Sequence, residues 1–348
     1  MIYRSRPDLP TYTPGTHEEG EGFIRLNTNE SPFPPGPGVL EAVTAEVGRL
    51  NFYNDPDCTL LCRALAQREG IPVESVLPGN GSDQILYLAI SAFSGPDHPL
   101  VIPEITYDYY ELFAAALGVP LRRIPLREDW SVSPMDYAGC GGMVIFPNPS
   151  APTGIEAPIG QIRSLCRANA DHVVLVDEAY YGFGAETALP LIRECENLLI
   201  VRTFSKSGSL AGARLGFAMG SPSLIRELAR MRNAVDLYGV SRMAQAAGVA
   251  ACRSRAYYEE NARRIAVSRE WTRSKLEALG FTVLPSRANF LFVRPPRGNA
   301  REIRSRLEQQ RILVRFFDRE SVREYLRITI GTAQEMQTLI DALPGCGL

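Results

Sequence analysis

The sequence predicts an α/β protein in which a large domain has a mostly parallel mixed sheet flanked by helices and a smaller domain is α+β. Three observations support this fold class. The middle of the chain alternates short apolar runs with helical patterns, which is typical of a parallel sheet covered on both faces. The 348 residues suffice for one large core and a second lobe. The pattern changes after about residue 250, where a long basic helical stretch gives way to alternating strands.

The elements can be followed in order from the N-terminus. Residues 1–38 are rich in proline, glycine and threonine, so we expect an extended arm with turns. Helical periodicity begins at Val39. A segment rich in turn-forming residues at 76–83 then leads into an apolar helix at 85–90. These elements open the large domain.

Short apolar runs supply the strands of both domains. The strands predicted for the large sheet are 100–102, 143–146, 173–176, 198–201 and 215–219. The strands predicted after the long basic helix are 281–283, 289–293, 312–314 and 326–330. We therefore expect a large domain over 39–250, and a small domain built from 251–348 together with the arm at 1–38.

The composition is that of an ordinary globular protein and argues against several function classes. Hydrophobic residues make up 45% and charged residues 22%, and 37 basic against 39 acidic side chains give a formal net charge of -2. This balance gives no electrostatic support for a nucleic-acid or membrane partner. No signal-peptide pattern follows the first residues, and no apolar run approaches the roughly 18 residues of a membrane span. We therefore expect a cytoplasmic protein that acts on small molecules.

The cysteines and histidines predict neither a disulfide framework nor a metal site. The seven cysteines are an odd, dispersed set in a long chain. Cys58 and Cys62 are one helical turn apart, but no second pair of ligands follows them. The three histidines do not have the spacing of metal ligands.

Polar side chains follow the predicted strands of the large sheet at the points where the strands end. These residues are Tyr107 after 100–102, Asn148 after 143–146, Asp177 and Tyr180 after 173–176, and Ser205 and Lys206 after 198–201. In open α/β sheets, ligands bind beyond the carboxyl ends of the strands. We therefore expect these side chains to converge on one crevice.

Lys206 and Arg214 indicate the chemistry of that crevice. Lys206 directly follows a buried strand, where desolvation favours the neutral, nucleophilic amine that forms Schiff bases. Arg214 offers a permanent cation suited to a phosphate. Gly81 and the two residues after it open a predicted helix, whose N–H groups and dipole attract an anion.

The stretch 203–216, Thr-Phe-Ser-Lys-Ser-Gly-Ser-Leu-Ala-Gly-Ala-Arg-Leu-Gly, resembles the fold-type I pyridoxal-phosphate (PLP) aminotransferases. The motif Asp-Glu-Ala-Tyr at 177–180 is similar to a motif of the same family. The resemblance implies an aspartate-aminotransferase-like fold whose large domain binds PLP. It also implies that Lys206 forms a Schiff base with this cofactor.

The resemblance implies a role for each residue around the cofactor. Asp177 would keep the ring nitrogen protonated, so that the ring accepts electrons. Tyr180 would donate a hydrogen bond to the phenolic oxygen of the ring, and Tyr107 would stack on the ring face. The other residues expected to bind the cofactor are Gly81, Ser82, Asp83, Ser205 and Arg214 at the phosphate, and Asn148 near the ring.

Both ends of the chain look like histidinol-phosphate aminotransferases. Residues 9–15 and 26–33 are similar to the N-terminal arm of that family. Residues 313–318 and 325–332 resemble the segment that holds the anionic group of the substrate. The similarity extends over nearly the whole chain.

This closer resemblance implies the substrate-binding residues and the assembly. Arg327 would hold the anionic end of the substrate, helped by Arg315, by Asn29 of the arm and by the partner subunit's Tyr12. Tyr53, in a segment similar to the family's Tyr-Pro-Asp-Pro, would reach the cofactor phosphate of the neighbouring subunit. A homodimer with shared active sites is therefore expected.

The implied reaction is transamination of L-histidinol phosphate with 2-oxoglutarate, which gives imidazole acetol phosphate and L-glutamate in histidine biosynthesis. Aromatic amino acid aminotransferases and threonine-phosphate decarboxylases carry very similar motifs and stay open as alternatives. Lys206, Asp177 and Arg327 together argue against a non-catalytic PLP-binding regulator. A dinucleotide-binding oxidoreductase is disfavoured because Gln84 replaces the third glycine of its fingerprint.

Two positions depart from the family pattern. The family commonly has Asn-Asn-Pro-Thr-Gly, and its second asparagine bonds the ring oxygen of the cofactor. This chain has Ala151 at that position, and alanine cannot donate such a bond. Either Asn148 reaches in instead, or Tyr180 bonds the oxygen alone. Asn54 stands where the family usually has proline.

Overall fold

Two β-sheets organise the chain. In the computed structural model, which describes residues 9–11, 22–297 and 299–347, one sheet has seven strands and the other has five. The strands are β1 Ile24–Leu26, β2 Val76–Asn80, β3 Leu100–Pro103, β4 Leu121–Ile124, β5 Met143–Pro147, β6 Val174–Asp177, β7 Leu198–Thr203, β8 Leu215–Gly220, β9 Thr282–Val283, β10 Phe290–Arg294, β11 Ile312–Phe316 and β12 Leu326–Thr329.

Helices connect and cover the strands. They are α1 Val39–Val47, α2 Thr59–Glu69, α3 Gly81–Phe93, α4 Tyr109–Leu117, α5 Ile159–Ala168, α6 Pro222–Val235, α7 Arg242–Arg253, α8 Arg255–Ala278, α9 Ala300–Gln309 and α10 Ala333–Ala342. Across the described ranges, none of these helices has both the length and the apolar character needed to cross a membrane.

The large sheet has the strand order β2-β8-β7-β6-β5-β3-β4. Its pairings are parallel from β4 to β7, whereas β8 is antiparallel to both of its neighbours. This confirms the predicted mostly parallel mixed sheet. Because β8 runs backwards, its first residue Leu215 pairs with Asn80, the last residue of β2. The residue before β8 therefore lies at the same edge as the residues that follow β6 and β7.

Alternation of side chains along the central strands builds a core on each face of the large sheet. Val174 and Val176 of β6 pack into one core, whereas Leu175 packs into the other. Both cores are covered by helices, as the continuous apolar runs of a parallel sheet require. The packing of the sheet between its two cores determines where each strand ends, and therefore where the residues that follow the strands lie.

The small sheet has the order β1-β11-β12-β10-β9. Strand β1 comes from the N-terminal part of the chain and pairs in parallel with β11, with Leu26 opposite Val314. The helices α8, α9 and α10 pack against this unit. The residues directly after β1 consequently leave the small sheet next to the carboxyl edge of the large one, where they contact both.

Two strands of the large sheet were not predicted, for different physical reasons. Strand β2 contains Pro78 and Gly79, which are depleted in strands, but β2 lies at an edge of the sheet, where proline is tolerated. Strand β4, Leu-Arg-Arg-Ile, is the opposite edge and exposes both arginines, so it lacks a continuous apolar run. A continuous apolar run predicts a buried strand, and the two edge strands β2 and β4 both lack one.

Candidate active site

A cavity of about 210 Å³ lies at the carboxyl edge of the large sheet, between the two sheets. The residues predicted for the site that line it are Asn29, Tyr107, Tyr180, Lys206, Arg315 and Arg327. They come from the arm, from the loops after β3, β6 and β7, and from β11 and β12. The fold thus brings together side chains that are up to about three hundred residues apart in the sequence.

Asp177 is the last residue of β6 and is buried at the floor of this edge. One carboxylate oxygen, Oδ2, accepts a hydrogen bond of 2.7 Å from the Tyr110 hydroxyl, and Oδ1 accepts one of 3.0 Å from the backbone N–H of Ala179. Burial raises the pKa of Asp177 to about 6, although both hydrogen bonds act in the opposite direction. The ionised form of a carboxylate in this setting is stabilised strongly by a positively charged partner.

Tyr110 was not predicted as a site residue. It lies in α4, within a Tyr-Asp-Tyr-Tyr run, and is fully buried. A tyrosine on the inner face of an apolar helix has the same sequence pattern as a core tyrosine. Only the structure shows that its hydroxyl reaches the carboxylate of Asp177.

Tyr180 is held by the arm. Asn29 Nδ2 donates a 2.9 Å hydrogen bond to the Tyr180 hydroxyl oxygen. The Asn29 side chain and backbone also bond the hydroxyl of Thr329, at the end of β12. Asn29 itself is almost fully buried, and the Tyr180 ring packs edge-on against Phe290. These contacts connect the large-domain loop to the small sheet through one amide side chain.

Lys206 lies three residues beyond the end of β7, and its Nζ donates a 2.9 Å hydrogen bond to the carbonyl of Thr28. Desolvation, and then the positive charge of Arg327, lower the pKa of Lys206 to about 8. A lysine with this pKa presents a useful fraction of neutral amine near neutral pH. That is the form that attacks a carbonyl carbon.

A chain of hydrogen bonds joins Arg214 to Tyr107 through Asp83. Arg214 Nη2 bonds Asp83 Oδ2 at 3.0 Å, and the Tyr107 hydroxyl donates to Asp83 Oδ1 at 3.0 Å. Gly81 has a φ of +76°, and a Cβ there would lie 2.7 Å from Arg214 Nη2. The guanidinium therefore packs directly against the start of α3, and a side chain at residue 81 would displace its tip.

The first turn of α3 begins at Gly81 and lies against β8. A Cβ on Gly216 would be 2.4 Å from the backbone nitrogen of Ser82, so this close approach requires a glycine. Ser205 follows β7 in the same region, and its Oγ accepts a 2.9 Å hydrogen bond from the Thr203 hydroxyl. The helix start, Ser205 and Arg214 form an arrangement suited to an anion.

Two arginines from the small sheet reach the cavity. Arg315 of β11 is paired in register with Arg327 of β12. Their guanidinium groups lie 5.2 and 5.5 Å from the centre of the Phe317 ring. Arg327 Nη2 also donates a 3.1 Å hydrogen bond to the carbonyl of Asn27. Two cations on adjacent strands favour an anionic ligand group beside Lys206.

Asn148 lies at the end of β5 but is not among the residues that line the cavity. Its side-chain oxygen accepts a 2.8 Å hydrogen bond from the N–H of Ala157, and its Nδ2 lies 3.4 Å from the carbonyl of Ala157. The amide therefore braces its own loop. Ala151, by contrast, lines the cavity with its methyl group.

Tyr53 is not among the residues that line the cavity within this chain. Tyr53 is 79% exposed, and its ring stacks on Tyr238 with 4.5 Å between centroids. Tyr12 lies outside the described residues. The exposure of Tyr53 is compatible with a contact to a neighbouring subunit.

The cysteines do not form a metal site or disulfides. Where the structure describes the chain, no group of three or more His, Cys, Asp or Glu side chains could hold a metal ion, and the cysteines are unpaired. Burial raises the pKa of Cys58 to about 12 and that of Cys62 to about 11. Both are thus neutral thiols, poor metal ligands at neutral pH.

Comparison with known proteins shows the family of the chain. The family model "Aminotransferase class I and II" matches residues 21–343. Histidinol-phosphate aminotransferase 2 of Dechloromonas aromatica (strain RCB) is 43% identical over 341 residues, which cover 97% of this chain and 96% of the relative. The histidinol-phosphate aminotransferase of Chromohalobacter salexigens is 44% identical over 338 residues, with 97% and 96% coverage.

Solved structures show the same fold. The histidinol-phosphate aminotransferase from Sinorhizobium meliloti, in complex with pyridoxal-5'-phosphate, superposes with a TM-score of 0.85 at 28% identity, over 92% of this chain and 89% of that one. Aspartate aminotransferase from Thermus thermophilus, at 18% identity, gives a TM-score of 0.78 over 93% and 91% of the two chains, which confirms the aspartate-aminotransferase-like fold. The chain belongs to the class I and II aminotransferase family.

Proposed function

We propose that the protein is a PLP-dependent aminotransferase that transfers the amino group of L-histidinol phosphate to 2-oxoglutarate, giving imidazole acetol phosphate and L-glutamate. The observation that carries the chemistry is the placement of Asp177 at the end of β6 and of Lys206 just beyond the end of the adjacent parallel strand β7, at one edge of the sheet. The substrate is supported by relatives named histidinol-phosphate aminotransferases at 40–44% identity over nearly the whole chain. Histidine biosynthesis would then be its role, and the cytoplasm its compartment.

The buried residues fit pyridoxal phosphate. Asp177 is a buried carboxylate whose hydrogen-bond partners, Tyr110 and the Ala179 N–H, are both neutral, and no ion pair involves it among the described residues. An ionised carboxylate is costly to bury without a cation. The protonated ring nitrogen of the cofactor would supply that cation. A simple core site would have no use for such a carboxylate.

When bound, the cofactor supplies a protonated aromatic ring that accepts the electrons released at the α-carbon of the substrate. The Nζ of Lys206 would take the proton from that carbon and then give it to the carbon of the cofactor that receives the amino group. Asp177 would hold the ring nitrogen protonated, and Tyr180 would donate to the ring oxygen. Tyr107 would cover the ring face.

The phosphate would be held by the start of α3. The backbone of Gly81 and Ser82, the Ser205 hydroxyl and the Arg214 guanidinium supply its donors in this proposal. The Asp83 carboxylate has a different part, because it already bonds Arg214 and Tyr107 and so fixes their orientation. The proposed site does not use the Asn148 side chain.

Arg327 and Arg315 would bind the anionic group of each substrate in turn. A transaminase accepts two different partners, here an amino alcohol phosphate and glutamate. A guanidinium fork can bond either a phosphate or a carboxylate in a bidentate manner. The pairing of the two arginines across β11 and β12 supports a shared anion site.

We further propose a homodimer with shared active sites. Tyr53 belongs to an exposed apolar surface, defined by Leu40, Val47, Leu50, Phe52, Tyr53 and Leu60, each at least 50% exposed. A patch of this kind favours a protein interface. Tyr53 would then reach the cofactor phosphate of the neighbouring subunit, and Tyr12 its substrate.

The two sheets support a division of the chain into two domains. In this proposal residues 39–250 form the large cofactor-binding domain, with the seven-stranded sheet. Residues 1–38 and 251–348 form the arm and the small domain. The pairing of β1 with β11 supports the assignment of the arm to the small domain.

The experiment that tests the function is an absorbance titration of the PLP-loaded protein. We expect L-histidinol phosphate and L-glutamate to convert the cofactor to its amine form, and L-phenylalanine to do so poorly. A best response to phenylalanine would keep the chemistry and move the enzyme to the aromatic class. Lys206→Ala serves as the control, since it should lose the band of the bound cofactor. Full transamination without that band would overturn the proposal.

A further inference from the structure

The arm fixes the direction of a hydrogen-bond relay that ends at Tyr180. The backbone N–H of Asn29 donates to Thr329 Oγ1 at 3.0 Å. The Thr329 hydroxyl then donates its own hydrogen to Asn29 Oδ1, also at 3.0 Å. Asn29 Nδ2 in turn donates to the Tyr180 oxygen at 2.9 Å. All three bonds are buried.

The polarity of this relay follows from its first member, since a backbone N–H can only donate. The Thr329 oxygen is the acceptor of that bond, so its hydroxyl hydrogen is directed to Asn29 Oδ1. The amide of Asn29 is thereby oriented, with its nitrogen toward Tyr180. Because the Tyr180 oxygen accepts from Asn29, its own O–H must donate elsewhere.

We propose that Asn29 and Thr329 are positioning residues, which hold the Tyr180 hydroxyl as a hydrogen-bond donor toward the cofactor ring oxygen. The inference rests on the proposed function and extends it to residues outside the cofactor shell. Asn29 then acts through Tyr180, in addition to any contact with substrate. Ala151, which lines the cavity, has no side-chain donor that could replace Tyr180 in this bond.

The backbone conformation and hydrogen bonds of Asn29 hold this residue in one position. Its φ is +55°, in the left-handed region that asparagine adopts more readily than most residues. Its carbonyl accepts a 3.0 Å hydrogen bond from Asn289 Nδ2. Asn29 is therefore held by its N–H, its carbonyl and both side-chain atoms, so its amide cannot rotate without breaking buried hydrogen bonds.

The relay can be tested with variants that change its polarity but not its size. Thr329→Val removes the hydroxyl that orients the amide, whereas Thr329→Ser retains it. Asn29→Asp replaces the donor nitrogen with an oxygen, so that Tyr180 must donate back to residue 29. The measurements are the dissociation constant for PLP and the pH midpoint at which the absorbance band of the bound cofactor changes.

A donor to the ring oxygen stabilises negative charge there, so it lowers the pH at which the bound chromophore loses its proton. We expect Thr329→Val and Asn29→Asp to raise that midpoint by about one pH unit and to weaken PLP binding roughly tenfold. Thr329→Ser should stay close to the parent in both quantities. A purely structural role would lower thermal stability in the Val and Asp variants and leave the midpoint unchanged.

The outcomes separate this proposal from the proposed function. If the parent protein gives no absorbance band with PLP, the proposed function fails and the relay fails with it. If the parent gives the band, and both Thr329→Val and Asn29→Asp keep its midpoint and affinity, the relay alone is overturned. Should Thr329→Val fail to fold, Thr329→Ala, which also lacks the hydroxyl and adds no charge, decides the question.

Discussion

The hydroxyl of Tyr110 donates a 2.7 Å hydrogen bond to the carboxylate of Asp177, and both side chains are buried. Burial, and then the charge of Asp177, raise the pKa of Tyr110 well above its usual value, so this hydroxyl stays a donor throughout the working pH range. The same bond lowers the pKa of Asp177, against the larger effect of burial. Tyr110 thus sets how readily Asp177 gives up its proton.

Tyr110→Phe should raise the pKa of Asp177 above its present value of about 6. A carboxyl that keeps its proton at neutral pH is a poorer partner for a protonated ring nitrogen. We therefore expect PLP binding near pH 7 to weaken by about tenfold, the loss of one hydrogen bond to a charged group, and to recover at higher pH. The dissociation constant measured between pH 5 and 9 checks this.

Tyr137→Phe is the matched control for that measurement. Tyr137 is also a buried tyrosine, but its hydroxyl has no hydrogen-bond partner among the described residues. Removal of this hydroxyl should leave PLP affinity and its pH dependence unchanged. An identical pH profile for Tyr110→Phe and Tyr137→Phe would contradict the role assigned to Tyr110.

Arg327 keeps the pKa of Lys206 low. The pKa of Lys206 is about 8 because of desolvation and, next, the positive charge of Arg327. Capture of PLP requires the neutral amine, so its rate should rise with pH and level off above about 8. Arg327→Met removes a like charge, which makes protonation of Lys206 easier. The midpoint of the rate against pH, followed by absorbance after mixing with PLP, should therefore move upward.

Arg315→Met separates this effect from a general change in the cavity. Arg315 carries the same charge and lies over the same Phe317 ring as Arg327, but the charge that lowers the pKa of Lys206 most, after desolvation, is that of Arg327. We expect its removal to leave the midpoint in place. A midpoint that stays near 8 in Arg327→Met would show that burial alone lowers the pKa.

The residues that sequence reasoning located are those that follow directly from strand ends. Asp177, Tyr180 and Lys206 come within a few residues of buried apolar strands, and the sheet carries them to one edge. Arg214 follows because the reversed strand β8 starts at that edge. Asn148 occupies an equivalent position, but its amide bonds the backbone of its own loop. Position at a strand end predicts location, and does not predict what the side chain bonds.

Tyr110 and Thr329 could not be predicted in this way. Tyr110 is separated by 67 residues from the carboxylate that it bonds, and Thr329 by 300 residues from Asn29. Each is of a type common in buried helices or strands, and each lies in an apolar segment. The first contact depends on how α4 packs on the large sheet, and the second on how the arm packs beside β12, and local pattern contains neither.

Gly81→Ala should weaken PLP binding. The new Cβ would lie 2.7 Å from Arg214 Nη2, so the end of the guanidinium has to shift from its place at the start of α3, which disturbs its 3.0 Å bond to Asp83. The φ of +76° adds strain, since side chains other than glycine disfavour this region by about 1–2 kcal/mol. We expect the dissociation constant for PLP to rise at least about tenfold, as measured by equilibrium dialysis.

Gly118→Ala isolates the strain from the steric effect. Gly118 ends α4 with a φ of +70°, and a Cβ there would meet no atom within 4 Å. This variant should lose a similar amount of stability and keep the parent affinity for PLP. Equal affinities for the Gly81 and Gly118 variants would rule out the proposed contact between residue 81 and Arg214.

Arg202→Met should destabilise the fold. Arg202 is 3% exposed and forms an ion pair of 2.8 Å with the buried Glu178 and one of 2.7 Å with the half-buried Glu69. Removal of the cation leaves the buried carboxylate of Glu178 without its ion-pair partner, a loss of about 3–5 kcal/mol, whereas Glu69 keeps its 2.7 Å pair with Arg68. Urea denaturation should show this decrease. Arg230→Ala, which removes a largely exposed pair with Glu227, should leave the midpoint unchanged. A stable Arg202→Met would mean that the Glu178 carboxylate is protonated or solvated.

Phe52→Asp should separate the subunits of the proposed dimer and remove most of the activity. Phe52 is 66% exposed and directly precedes Tyr53 in the apolar surface, and a carboxylate at this position would have to be buried on association. Sedimentation velocity would follow the mass, and transamination would be assayed at the same concentrations. Val267→Asp is the control, because Val267 is a 60% exposed apolar residue on α8, outside that surface. It should change neither quantity. Full activity in a monomeric Phe52→Asp protein would show that each chain holds a complete site, without Tyr53 or Tyr12 of a neighbour.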